Sequence, residues 1–169
     1  MARTRTAAAG ARRKRRAPAP PRHRVLTGLE VLARDRPSWI RRRRAGLLLH
    51  PASVDSGYAS ARGILSDLSR GYLRALFGPQ HGIAGEKQDN MIESGHGKDR
   101  DLGIPVYSLY SETRSPTREM LEEVDVLVVD LQDVGTRVYT FEWTCALALE
   151  ACAAMGREVV VLEDRKSVV

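Results

Sequence analysis

The sequence predicts an α/β fold: a mainly parallel sheet with helices on both faces. Short runs apolar on both sides recur along the chain, as strands buried between two helical layers require. Segments with apolar residues at helical spacing separate those runs, and that alternation is the signature of parallel crossover units. The 169 residues suffice for one ordinary domain.

Taken in order, residues 25–40 place Leu26, Leu29, Leu32 and Ala33 at helical spacing and end near Pro37, which predicts a short amphipathic helix. Arg41 to Arg44 form a solvated lead into AGLLL (45–49), a buried strand closed by His50 and Pro51, with a loop over 53–56. Ala61, Ile64, Leu65 and Leu68 stripe a helix over 59–70, and 73–77 return as a second strand. From 78 to 103 the chain turns polar and is punctuated by glycines at 78, 82, 85, 95, 97 and 103. Loops of that length inside a compact domain are usually either functional or disordered, and function is the expectation here.

A third strand is predicted over 105–110. A helix then starts at 115–119 and carries Met120, Leu121 and Val124 on its apolar face. VDVLVVDL (124–131) is the strongest strand signal, with Asp125 read as a solvated flank. Residues 139–155 form a helix with Ala146, Leu149 and Ala153 on one side, closed by Gly156, and 158–162 are the last buried strand. The pattern is Rossmann-like.

Charge is unevenly spread. Residues 1–24 hold nine Arg/Lys and no acid, whereas 25–169 hold 18 basic and 21 acidic residues. The first 24 residues are therefore expected to be a disordered basic tail, with a solvated tail favoured over a nucleic-acid arm at Arg12 to Arg16. Ala7 to Ala9 is too short for the apolar core of a secretion signal, so a cytoplasmic location is expected unless the start is misassigned. No run approaches the length of a membrane span, and no membrane partner is expected. Cys145 and Cys152, seven apart on one helix, sit too far apart for a disulfide and are read as buried apolar residues.

In parallel sheets ligands sit beyond the carboxyl ends of the strands. That places Gly78 to Gly82 and the segment Asp130 to Arg137 at one rim. Nucleotide binding is disfavoured: Gly78, Gly82 and Gly85 lack the dinucleotide spacing, and Gly97-Lys98 is followed by Asp99, so no cofactor is expected. His81, His96, Asp89, Asp130 and Asp133 could ligate a metal, but without a ligand-pair spacing no metal is expected. Acid and base chemistry on a sugar remains. It needs one group to protonate the leaving oxygen and a carboxylate to attack carbon or activate water. Asp130 and Asp133 at a strand end, with Glu86, Asp89 and Glu93 from the long loop, can supply it. Arg137 offers a planar fork for an acidic substituent. Tyr110, Tyr139, Phe141 and Trp143 could stack on a sugar, but core packing is the better expectation.

The strings ALFGPQHG (75–82), GIPVYSLY (103–110), PTREML (116–121), DVLVVDLQDVGTRVYT (125–140) and VVVL (159–162) occur in that order. Together they resemble the NamZ-type exo-β-N-acetylmuramidases, earlier known only as a domain of unknown function. The resemblance spans about Leu29 to Leu162, and LQDVGTRVYT is its most specific piece. It implies release of terminal N-acetylmuramic acid from peptidoglycan fragments, in a cleft between a Rossmann-like domain and a second α/β subdomain. His81, Asp130, Gln132, Asp133, Arg137 and Tyr139 match family motif positions. From the chemistry, Asp130, Asp133, Glu86 and His81 are the catalytic candidates. Gln80, Asp89, Gln132, Arg137 and Tyr139 are the substrate-binding ones, with Arg137 facing the lactyl carboxylate.

Two departures carry consequences. The family commonly has Glu where this chain has Gln80, and an amide cannot act as a proton donor of the same kind. The acid would then be a loop residue such as Glu86 or Glu93, or the domain would bind saccharide without cleaving it. The family also continues past the last strand, whereas DRKSVV (164–169) does not follow its pattern. The expected organisation is thus a tail over 1–24, an α/β domain over 25–163 that is truncated C-terminally, and a non-native end over 164–169. The partners expected are a peptidoglycan-derived saccharide and the missing subdomain.

Overall fold

The computed structural model describes residues 25–85, 95–132 and 140–162. The tail over 1–24 and the end over 164–169 lie outside them. Six strands form one sheet: β1 (Ala45–Leu49), β2 (Leu73–Gly78), β3 (Gly97–Lys98), β4 (Pro105–Ser108), β5 (Val126–Asp130) and β6 (Glu158–Val161). Their spatial order is β3-β4-β2-β1-β5-β6, with β3 antiparallel to β4 and every other pairing parallel. The helices are α1 (Gly28–Asp35), α2 (Ala61–Ser69), α3 (Arg118–Leu121) and α4 (Phe141–Ala154), with a 3₁₀ turn at Ser38–Arg41.

Strand side chains alternate between faces, and the core follows that alternation. Leu47 and Leu49 of β1, Leu76 of β2, and Val126 and Val128 of β5 pack with Leu29 and Leu32 of α1 and Leu65 and Leu68 of α2. Leu48, Phe77, Leu127 and Val129 pack with Met120 and Leu121 of α3 and Ala148 and Cys152 of α4. The sheet therefore has helices on both faces, and every residue of β1 and β5 is buried. Apart from Asp130 at the end of β5, these strands are apolar because neither face meets water.

Local signals set the helix ends. Thr27 and Glu30 close a reciprocal capping box on α1. Ser60 caps α2 by accepting from the Gly63 N–H. Past the end of α4, Gly156 adopts φ +62°, which a residue with a Cβ rarely does. At α1, Gly28 lies so close to the Leu162 backbone that an added Cβ would stand 2.6 Å from its carbonyl carbon.

Several expectations need correction. The third helix is a single turn, 118–121, because Val124 leaves it to join the core ahead of β5. The long polar segment contributes β3, two residues that pair with β4 through backbone groups rather than an apolar pattern. Asp125 is no solvated flank. Its carboxylate accepts from the Arg44 backbone N–H at 2.9 Å and from the Arg44 guanidinium at 2.6 Å, joining the starts of β1 and β5. The Arg44 hydrogen bonds push its pKa down to about 2, against the opposing effect of burial. Arg43 likewise pairs with Glu158 on β6. Trp143, expected to pack in the core, is 71% exposed, whereas Phe141 is buried. Both cysteines are free thiols as expected, but only Cys152 is buried, whereas Cys145 is half-buried.

Candidate functional site

From β1 the chain builds the sheet outward through β2 to β4, then returns to the other side of β1 to lay down β5 and β6. The order reverses between β1 and β5, and in open parallel sheets the crevice beyond the carboxyl ends at such a reversal is the ligand address. Leu49, the last residue of β1, is in register with Asp130, the last of β5. The residues that follow each of them define this crevice.

Two hydrogen bonds stitch the two exits together, and a third, within the β1 exit, holds Ser53 in place. The His50 N–H donates to Ser53 Oγ at 2.9 Å, and the Ser53 hydroxyl donates to the Asp130 carbonyl. The Gln132 backbone N–H donates to His50 Nε2 at 3.0 Å. The His50 ring also meets Phe141, at the start of α4, edge to face with centroids 4.9 Å apart. Burial holds the His50 imidazole below its usual pKa.

The exit of β2 reaches the same rim. Gln80 Oε1 accepts from Thr140 Oγ1 at 3.0 Å, which ties the Pro79 to Gly82 turn to the start of α4. His81 sits in that turn at φ +75°, a conformation uncommon for a residue with a Cβ, and Gly82 follows at the same φ. Beside the rim, a pocket of about 360 Å³ is lined by His50, Ser53, Ser60, Arg62, Ile83 and Asp99 among others. Arg62 reaches Asp99 at 2.6 Å. Although burial opposes ionisation, the Leu102 N–H and the Arg62 guanidinium hold the Asp99 carboxyl below its usual pKa.

Of the predicted site residues, Asp130, Gln132, Gln80 and His81 all lie at this rim. Asp130 is only 2% exposed, Gln80 and His81 are half-buried, and Gln132 is exposed. Glu86, Asp89, Glu93, Asp133, Arg137 and Tyr139 lie outside the described residues. Sequence reasoning missed His50, which it treated only as the end of a strand. Its one local signal is a polar residue directly after LLL; its partner, Gln132, is 82 residues away. Among the described residues no group of three or more His, Cys, Asp or Glu could hold a metal, and no helix is long and apolar enough to cross a membrane.

Fold and rim together define an α/β domain whose polar groups gather at the reversal of strand order. The chain belongs to the family described as exo-beta-N-acetylmuramidase NamZ, N-terminal, which matches residues 45–169. It is 43% identical over 139 residues to the peptidoglycan beta-N-acetylmuramidase NamZ of Bacillus subtilis (strain 168), an alignment covering 82% of this chain and 33% of that protein. Two crystal structures of DUF1343 family proteins from Bacteroides fragilis NCTC 9343 share the fold. One has a TM-score of 0.73 at 41% identity, covering 84% of this chain and 35% of the other. The second has a TM-score of 0.62 at 25% identity, covering 81% and 34%. The chain thus spans about a third of the length of these relatives.

Proposed function

We propose that this chain is the N-terminal domain of a glycoside hydrolase that releases terminal N-acetylmuramic acid from peptidoglycan fragments. In this reading the carboxyl-end rim forms one wall of the saccharide site. The observation that carries it is the convergence of Asp130, Gln132, Gln80 and His81 at the strand-order reversal, in a chain 43% identical to a peptidoglycan beta-N-acetylmuramidase.

Cleaving a glycosidic bond requires an acid for the leaving oxygen and a carboxylate for carbon or water. Asp130 and Asp133 are assigned the carboxylate work, Glu86 or Glu93 the proton donation that Gln80 cannot perform, and His81 a supporting place beside them. Gln132, Asp89 and Tyr139 contact sugar hydroxyls, while Arg137 holds the lactyl carboxylate in a bidentate pair. One wall does not enclose a sugar, so the 169-residue chain by itself is inactive.

The test is turnover of a chromogenic N-acetylmuramide. The chain alone should match the blank. A version extended to the length of its relatives should turn over, and Asp130→Asn or Asp133→Asn should each reduce kcat by about 100-fold or more. Undiminished rates in both variants would remove these carboxylates from the mechanism. A second reading, a saccharide-binding domain without catalysis, draws on Gln80, an amide already engaged by Thr140. Binding of N-acetylmuramic acid without hydrolysis by the extended protein would select it.

A further inference from the structure

His50 joins three elements of the rim: its own strand end through Ser53, the β5 exit through Gln132, and the start of α4 through Phe141. The chemistry of the Gln132 contact is restrictive. A peptide N–H can only donate, so the nitrogen it meets, Nε2, carries no proton. A neutral imidazole with a bare Nε2 holds its proton on Nδ1. Protonating Nε2 would set two donors against each other, so the bond exists in one tautomer of one charge state. With the residue 7% exposed, burial favours that neutral state.

We propose that His50 is a positioning residue of the candidate site: a neutral, Nδ1-protonated imidazole that fixes the exit of β5 by accepting the Gln132 N–H. Two backbone anchors, Ser53 on the Asp130 carbonyl and His50 on the Gln132 N–H, then hold the chain on both sides of Leu131. Without the second, Gln132 can swing relative to Asp130, and a displacement of about 1 Å is enough to spoil a reacting geometry. Among the described residues, the charged and titratable groups on the surrounding elements are Asp130 on β5, His81 after β2, Glu142 beside Phe141 on α4, and Arg62 and Asp99, which line the same pocket as His50. The effect on turnover rests on the proposed hydrolase function; the tautomer and the clasp do not.

The experiment has two arms. On the 169-residue chain, nitrogen-15 NMR of the imidazole should find Nδ1 protonated and Nε2 bare, with titration below the usual histidine range. Amide exchange at Gln132 should rise about tenfold or more in His50→Phe, which keeps ring packing, and much less in His50→Gln, whose amide oxygen reaches the place of Nε2 and can still accept. A proton on Nε2, or a Gln132 amide that exchanges freely in the unmodified chain, overturns the proposal. If His50→Phe does not fold, the tautomer and the unmodified-chain exchange still decide it. On the extended protein, His50→Phe should lower kcat about tenfold or more and flatten the acidic limb of its pH profile, with His50→Gln restoring most of the rate. Equal loss in both variants, or none in either, refutes a positioning role. A complete lack of turnover in the unmodified extended protein would instead count against the hydrolase reading and leave the exchange result to judge the clasp.

Discussion

Gln80 and Thr140 stand 60 residues apart in sequence, yet the Thr140 hydroxyl donates to the Gln80 amide oxygen at 3.0 Å. This contact ties the β2 exit to the first turn of α4 across the rim. Each of Gln80→Ala and Thr140→Val should lower stability by about 0.5 to 1.5 kcal/mol. The double variant should lose less than the sum, with a coupling of at least about 0.5 kcal/mol in urea unfolding. Strict additivity would mean that the bond contributes nothing.

At the opposite rim, Asp125 accepts from both the backbone and the guanidinium of Arg44. Asp125→Asn should cost about 1 to 2 kcal/mol at pH 7, less than the full shift implies because the carboxylate is partly solvated. A carboxyl held at about 2, against 3.8 unperturbed, gives stability that is present above pH 4 and fades as pH falls toward 2. Unfolding curves of wild type and variant should therefore converge on acidification. A gap that stays constant to pH 2 would contradict this.

Gly28→Ala offers a test in which helix propensity and packing disagree. In an exposed helix interior the change would stabilise by up to about 1 kcal/mol. Here the new methyl would collide with the Leu162 carbonyl, at 2.6 Å. A loss of about 1 to 3 kcal/mol is expected, visible as a lower Tm. An unchanged or higher Tm would show that α1 does not sit against the end of β6.

The two thiols of α4 should behave differently. Burial pushes the Cys152 thiol up to about 11, so little thiolate exists near pH 8. A disulfide-exchange reagent should modify half-buried Cys145 first and Cys152 only with global unfolding. Equal rates for both, or recovery of an intramolecular disulfide, would refute the packing of Cys152 against the sheet.

The fold was legible because its signals are local. Residues 45–49 are apolar at every position and form β1 within those bounds; the stripe of Ala61, Leu65 and Leu68 forms α2; and Gly156 ends α4. The family was legible too, since a string such as LQDVGTRVYT is contiguous. The site was legible only as a set of strand ends. Asp130 ends a strand and Gln80, His81 and Gln132 follow strands, and the parallel pairing of these strands brings all four to one rim.

Composition and periodicity alone therefore determined the element types, the mainly parallel sheet and the burial of β1 and β5, because hydrophobic spacing is written residue by residue. Tertiary structure decided which exits become neighbours. Laying β5 beside β1, on the side away from β2, carries Gln132 to His50 and Asp125 to Arg44. No periodicity encodes those pairs, since each is a product of strand order, and strand order emerges only when the whole sheet has assembled.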